Sequence, residues 1–192
     1  MMRGEMKAGM VIVGAMTLAG CTISTSTMDD YSAADAAKLR VENYATPLVA
    51  EIYQQSGSCL RQVDQKSLTS AVNILGIKST RNKKIAGIAP LPASSPLQGK
   101  DVMEFSVKPG QFLRIGYVTV SQTTYSQTVH ESFRSVSPKA GHSYEVYTLP
   151  GGYYTHEIMI TDVTEGKDTP APVWALNECP YDYNLFHTKV YR

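Results

Sequence analysis

The sequence lacks an apolar run long enough to cross a bilayer, and it has little excess charge of either sign. The longest apolar stretch, Ala8 to Leu18, is shorter than the roughly 20 residues that a spanning helix needs. Basic and acidic residues number 18 and 17, a formal net charge of +1. A chain so nearly neutral has no field to attract nucleic acid, so no nucleic-acid partner is expected.

Motifs for metal binding, phosphate binding and nucleophilic catalysis are also missing. No Cys-x-x-Cys, His-x-x-x-His, Gly-x-Ser-x-Gly or Gly-rich phosphate loop occurs. The four histidines are interpreted as exposed strand positions, although His142 and His156 could face each other across a hairpin. We therefore expect no metal, no cofactor and no catalytic residue, and a protein that is not an enzyme.

The amino-terminal segment has the layout of a secretory signal. Arg3 and Lys7 give it positive charge, and the apolar stretch that follows has the length of a signal-peptide core. The stretch ends in Leu18-Ala19-Gly20-Cys21. A plain secretory signal with a chance cysteine, or a short buried helix, is the alternative reading of this segment.

The run Leu18-Ala19-Gly20-Cys21 resembles the lipobox of bacterial lipoproteins at all four positions. The resemblance implies that residues 1–20 are a signal peptide, and that Cys21 receives a diacylglycerol and becomes the acylated amino terminus. Several acyl chains would hold the protein on a membrane, since one chain alone anchors only weakly. Thr22 is not the aspartate of the inner-membrane retention pattern, which implies the periplasmic face of the outer membrane.

Removal of residues 1–20 leaves one domain's length of chain. Those residues carry Arg3, Lys7 and Glu5, so 16 basic and 16 acidic residues remain from the 18 and 17 of the whole sequence. Residues 21–32 are polar and small, and we expect them to form a flexible lipidated tether. The folded domain is then predicted to span residues 33–192.

Three cysteines occur in the sequence, and Cys59 and Cys179 remain if Cys21 carries lipid. Disulfides persist in an oxidising compartment such as the periplasm. We therefore predict a Cys59–Cys179 disulfide, with two free buried thiols as the alternative.

Short apolar segments separated by Gly- and Pro-containing turns predict a mainly β protein. Among them are Val102 to Val107, Phe112 to Val120, His142 to Leu149 and Tyr153 to Val163, with a shorter strand at Ile85 to Ile88. No βαβ rhythm is present. The pattern favours an antiparallel β-sandwich, immunoglobulin-like or transthyretin-like.

Residues 33–55 allow two interpretations. Alanines at 33, 34, 36 and 37 favour a helix. Pro47 would break a long helix, whereas alternation predicts two strands, Ala37 to Glu42 and Leu48 to Gln54. We favour the two strands.

Tyrosine dominates the aromatic residues, with 12 Tyr against 4 Phe and 1 Trp. Four of them, Tyr144, Tyr147, Tyr153 and Tyr154, surround one predicted hairpin. Tyrosine is common at half-buried strand positions, which is the plain explanation. It is also enriched at interfaces, so we identify these four as a candidate binding face.

The segments Ala36 to Val41 and Pro138 to Val146 are similar to those of small β-rich lipoproteins of Gram-negative bacteria. This resemblance implies a compact β domain on a lipid tether. We expect a non-enzymatic binding or accessory subunit of an envelope assembly, with a protein partner in the cell envelope. The tail Pro180 to Arg192, which carries Tyr181, Tyr183, Phe186 and Tyr191, either packs on the sandwich or contacts that partner. A glycan- or small-molecule-binding module is the alternative function.

Overall fold

The computed structural model describes residues 26–43, 47–70, 72–74, 77–79, 81–122, 126–151, 155–166, 168–185 and 188–192. Within these ranges every regular element is a β-strand. The strands are β1 (Ala37–Glu42), β2 (Val49–Ser56), β3 (Cys59–Ser67), β4 (Val72–Ile74), β5 (Ile77–Ser79), β6 (Val102–Val107), β7 (Phe112–Gln122), β8 (Gln127–Val136), β9 (Ser143–Pro150), β10 (His156–Asp162), β11 (Thr169–Pro170), β12 (Tyr181–Tyr183) and β13 (Lys189–Tyr191).

Two sheets pack face to face, which confirms the prediction of a mainly β, sandwich-like fold. One sheet has the order β11-β10-β9-β1-β6, and the other has the order β3-β2-β7-β8. Two small hairpins, β4-β5 and β12-β13, stand beside them. The two strands predicted within residues 33–55 are confirmed as β1 and β2.

The core lies between the sheets and is built by alternate residues of the strands. From the five-stranded sheet come Leu39, Phe105, Tyr144 and Ile158, which are fully buried, and from the four-stranded sheet come Leu113 and Ile115. The β6–β7 connection turns at Gly110, whose φ of 69° suits glycine at the predicted Pro109-Gly110 turn.

One pairing departs from the predicted antiparallel arrangement. β1 pairs with β9 in parallel, with Leu39 opposite Tyr144, and with β6 in antiparallel register, with Leu39 opposite Phe105. β9 is therefore an interior strand of its sheet, since β10 pairs with it on the other side. Both faces of β9 are buried from Ser143 to Tyr147.

The outer face of the five-stranded sheet is covered by the segment of residues 81–101, called here the cover loop. Leu97 of the cover loop packs with Val102 and Tyr147 in a second apolar cluster. The predicted strand Ile85 to Ile88 lies in this loop and is wrong, since these residues form no ladder. The outer face of the four-stranded sheet is covered in part by the carboxy-terminal segment described below.

Residues 26–31, called here the arm, lie across the edge between β3 and β6. The Met28 amide donates to the Ser67 carbonyl at 3.1 Å, and the Tyr31 amide donates to the Ser106 carbonyl at 2.9 Å. Met28 is 6% exposed and belongs to the main core. The flexible tether predicted for residues 21–32 is therefore wrong from Ser26 onward, because the arm makes backbone pairs and buries an apolar side chain. The packed domain begins before the predicted boundary at residue 33.

Candidate functional site

The predicted tyrosine face does not form as an exposed surface. Tyr144 is 0% exposed, and its hydroxyl accepts a hydrogen bond from the Lys139 amide. Tyr147 is 8% exposed and packs against the cover loop. The cause is the interior position of β9, which buries Tyr144 on one face of the sheet and Tyr147 on the other. Tyr153 and Tyr154 lie outside the described residues, as does Cys21, whose lipidation stays a prediction.

The predicted disulfide is confirmed. Cys59 and Cys179 are bonded, with Cα atoms 4.9 Å apart and a sequence separation of 120. The bond lies next to a short parallel contact in which the Cys179 amide donates to the Leu60 carbonyl at 2.8 Å. It therefore fixes the carboxy-terminal segment to the edge of β3.

The carboxy-terminal hairpin, β12 with β13, is held on the same side by its inner face. The Tyr191 hydroxyl donates to Glu178 at 2.6 Å and accepts from the Gln62 amide at 2.7 Å. Lys189 lies 2.7 Å from Glu178 and over the rings of Tyr53 and Tyr181. These contacts hold the hairpin in a defined position against β2 and β3.

Beneath the hairpin, a polar network connects it to the four-stranded sheet. The Tyr53 hydroxyl donates to Glu51 at 2.9 Å, and Arg114 lies 3.5 Å from Glu51 and 3.9 Å from Glu178. Burial and then the carboxylate of Glu51 raise the pKa of Tyr53, and burial and then Glu178 raise the pKa of Tyr191. Both hydroxyls therefore stay protonated and donate hydrogen bonds at neutral pH.

The hairpin exposes three apolar side chains. Leu185 is 96% exposed, Tyr183 is 60% exposed and Val190 is 51% exposed. We call these three side chains the hairpin surface. Tyr183 is in register with Lys189 and shares a face with Tyr181 and Tyr191, whereas Val190 lies on the other face, in register with Asp182. Tyr181 is packed edge-on against Tyr183 and Tyr191.

A second cluster, of charged groups, lies under the cover loop. Arg40 stands between two carboxylates on neighbouring strands, with its Nε 2.9 Å from Glu104 and its Nη1 3.4 Å from Glu145. The Ser95 hydroxyl of the cover loop donates to Glu145 at 2.5 Å, and the Ile85 amide donates to Glu104 at 2.9 Å.

The two carboxylates of this cluster have pKa values shifted in opposite directions. Burial opposes ionisation of both, but the Ile85 amide and Arg40 hold the pKa of Glu104 below its ordinary value. Burial outweighs Ser95 and Arg40 at Glu145, whose pKa is raised. Opposed pKa values are typical of acid–base pairs. Here, however, Glu104 and Glu145 are 1% and 0% exposed, so no substrate reaches them, and we interpret the cluster as the attachment of the cover loop.

The three described histidines occupy separate places. His130 on β8 is opposite Thr119, and His156 opens β10 opposite Pro150 with its backbone bonded to the Tyr117 hydroxyl. His142 precedes β9 and lies 2.7 Å from Asp162. The expectation that His142 and His156 face each other is wrong, because the β9–β10 register places them at opposite ends of the hairpin. His187 lies outside the described residues.

An open cleft lies between the arm and the sandwich. It has a volume of about 310 Å³, and its lining includes Met28, Ile52, Lys66, Lys108 and Gln111. Across the described ranges, no group of three metal-ligating side chains is present. No helix in those ranges has the length and apolar character to span a membrane.

In comparisons with known proteins, no family model, curated protein or solved structure matches the chain.

Sequence reasoning identified the aromatic tail but not its two aliphatic members, Leu185 and Val190. It also missed the charged cluster of Arg40, Glu104 and Glu145. A usable signal existed for the cluster, since charged residues alternate with apolar ones within strands that are otherwise core. That alternation alone, however, equally describes a solvent-exposed sheet face.

Proposed function

We propose that the protein is a lipid-anchored lipoprotein on the periplasmic face of the outer membrane, where it acts as a non-enzymatic binding or accessory subunit of an envelope assembly. Its anchor is Cys21, and its contact with a protein partner is the hairpin surface. The observation that carries the second part is the exposure of Leu185, Tyr183 and Val190 on one hairpin.

Isolated exposed apolar residues are ordinary on protein surfaces. The hairpin surface is different because an aromatic and two aliphatic side chains share a short element that is seated by ion pairs and by the Cys59–Cys179 disulfide. Tyrosine is among the residues that dominate protein–protein binding energy, and neighbouring groups contribute by excluding water around it.

The alternative of a glycan- or small-molecule-binding module receives less support. It required a pocket lined by Tyr147 and Tyr153, and Tyr147 is packed beneath the cover loop. The described cleft has Tyr31 as its one aromatic lining residue. A protein-binding role therefore accounts better for the exposed groups.

The test is site-specific photocrosslinking in the native host. A photoreactive amino acid is placed at Leu185, and a matched control places it at Gln127 on the exposed end of β8. We expect Leu185 to give a discrete crosslinked envelope protein and Gln127 to give none. Leu185→Lys should abolish co-purification of that protein while leaving the unfolding midpoint unchanged, because Leu185 is 96% exposed. Absence of a crosslink at both Leu185 and Tyr183 would overturn the proposed contact.

A further inference from the structure

The packed arm limits how far the domain can stand from its anchor. Ser26 already pairs with the sandwich, since the Ser67 amide donates to the Ser26 carbonyl at 2.9 Å. Four residues, Thr22 to Thr25, separate Ser26 from Cys21. Five residue steps span at most about 18 Å even when fully extended. A lipid on Cys21 therefore holds the domain close to the headgroups, whatever path those residues take.

The arm also determines which surface is closest to the anchor. Its Ser26 hydroxyl lies 2.8 Å from Lys66 Nζ on β3, and its Asp30 carboxylate lies 2.7 Å from Lys83 Nζ beside β6. The anchor point is thus the edge where β3 and β6 come together. The opposite edge of the sandwich is formed by β8 and β11.

The anchor edge carries two exposed basic side chains outside its ion pairs, beside the exposed Asp29 carboxylate. Lys66, Lys83 and Lys84 are paired with Asp64, Asp30 and Glu104. Arg81 and Lys108 are exposed, and within the described part of the chain neither has an ion pair. Arg81 belongs to the segment that also contributes Lys83, and Lys108 lines the cleft beside Met28. A basic side chain near an anionic leaflet contributes about 1 kcal/mol.

We propose that the β3–β6 edge is the membrane-facing surface of the protein, and that Arg81 and Lys108 contact anionic phospholipid headgroups there. This inference rests on the lipid anchor of the proposed function. It adds an orientation: β8, three strands away from β3 in its sheet, lies on the side away from the bilayer. Three strand spacings of about 4.8 Å place β8 about 14 Å farther from the headgroups than β3.

The experiment measures energy transfer from the protein to the membrane. The mature full-length protein, with its disulfide intact, is reconstituted into vesicles of phosphatidylethanolamine and phosphatidylglycerol that contain an acceptor on the lipid headgroups. A donor dye is attached through Asp29→Cys on the arm, where the side chain is 92% exposed, or through Gln127→Cys at the far end of β8. We expect higher transfer from position 29 than from position 127, because β8 lies about 14 Å farther from the headgroups than the anchor edge.

Two control variants isolate the causes. An insertion of about 20 Gly and Ser residues between Thr25 and Ser26, with a reach of about 25 Å, should lower transfer from position 29 toward that from position 127. The pair Arg81→Glu and Lys108→Glu should lower transfer from position 29 in vesicles with phosphatidylglycerol but not in vesicles of phosphatidylcholine alone. No change in the charge-reversed protein would overturn the headgroup contact.

The failures of the two proposals are distinguishable. Mass spectrometry of the same preparation reports whether Cys21 carries lipid, and absence of the lipid mass removes the anchor and with it the proposed function. Equal transfer from positions 29 and 127 in a protein that does carry the lipid overturns the orientation and leaves the anchor intact.

Discussion

Arg40 and Glu104 face each other across the β1–β6 pair, with Arg40 Nε 2.9 Å from Glu104 Oε1 and both side chains almost completely buried. On the other side of β1, Arg40 is in register with Glu145 of β9. One guanidinium therefore serves two carboxylates on two neighbouring strands, beneath a loop that adds its own donors. The sheet and its cover are coupled through this one side chain.

Removal of Arg40 should destabilise the fold severely. Arg40→Met leaves Glu104 and Glu145 in the interior without their shared cation, and loss of one partner of a buried ion pair costs about 3–5 kcal/mol. The measurement is equilibrium unfolding in denaturant. The matched control is Arg192→Met, whose partner Asp182 is 63% exposed, and which should cost less than about 1 kcal/mol.

If Arg40→Met does not fold, the prediction is tested in the variant that also carries Glu104→Gln and Glu145→Gln. Removal of all three charges takes away the unpaired buried anions, so this protein should fold and recover part of the lost stability. Equal stability of Arg40→Met and the wild type would contradict the role assigned to Arg40.

Glu104 and Glu145 should contribute to the free energy of unfolding with opposite dependence on pH in acid. The pKa of Glu104 is lowered from 4.5, so its contribution to stability is present above pH 4.5 and is lost as the pH falls through the depressed value. The pKa of Glu145 is raised, so protonation of Glu145 favours the folded state, and that contribution is lost as the pH rises.

The two conservative variants should therefore shift the acid limb in opposite directions. Glu104→Gln should flatten the fall of the unfolding free energy below about pH 4.5, and Glu145→Gln should steepen it. The free energy of unfolding measured at a series of pH values between about 2 and 6 tests both. Parallel changes in the two variants would show that the carboxylates are not held in different states.

The local features of the fold could be read from the sequence, because they depend on neighbours in the chain. Alternation predicted β1 and β2, and Pro109-Gly110 predicted the β6–β7 turn. The cysteine count predicted the disulfide, although its ends have a sequence separation of 120. Each of these depends on side-chain periodicity, turn chemistry or simple counting.

The features that failed depend on which strands become neighbours. Tyr144 and Tyr147 looked like surface residues because the hairpin they belong to is amphipathic in isolation. The parallel pairing of β9 with β1, about 100 residues earlier in the chain, makes β9 an interior strand and buries both. The arm failed for the same reason: a polar run such as residues 26–31 becomes ordered only where open strand edges accept its amides.

Removal of the disulfide should cost about 5 kcal/mol on the chain-entropy model, since its ends are 120 residues apart in sequence. The variant Cys59→Ala with Cys179→Ala is compared with the wild type in equilibrium unfolding. Hydrogen exchange should become faster at Tyr191 and Lys189, because the bond fixes the segment on which their hairpin is seated. Cys21→Ala is the matched control, which removes the proposed lipidation site and should leave the stability unchanged. A loss below about 1 kcal/mol in the double variant would contradict this account.

Shortening of Met28 should detach the arm. Met28 is 6% exposed in the main core, and methionine-to-alanine changes at buried sites cost about 2–5 kcal/mol. Met28→Ala should lie at the lower end, because the arm is a short segment at the edge of the sandwich and can withdraw instead of leaving a cavity. The unfolding free energy gives the cost, and limited proteolysis should show cleavage within residues 26–31 in the variant alone.

Val173→Ala, at a side chain 69% exposed, is the control and should change stability by less than about 0.5 kcal/mol. An uncleaved, fully stable Met28→Ala protein would mean that the backbone pairs with Ser67 and Ser106 alone hold the arm, and that its apolar contact contributes nothing.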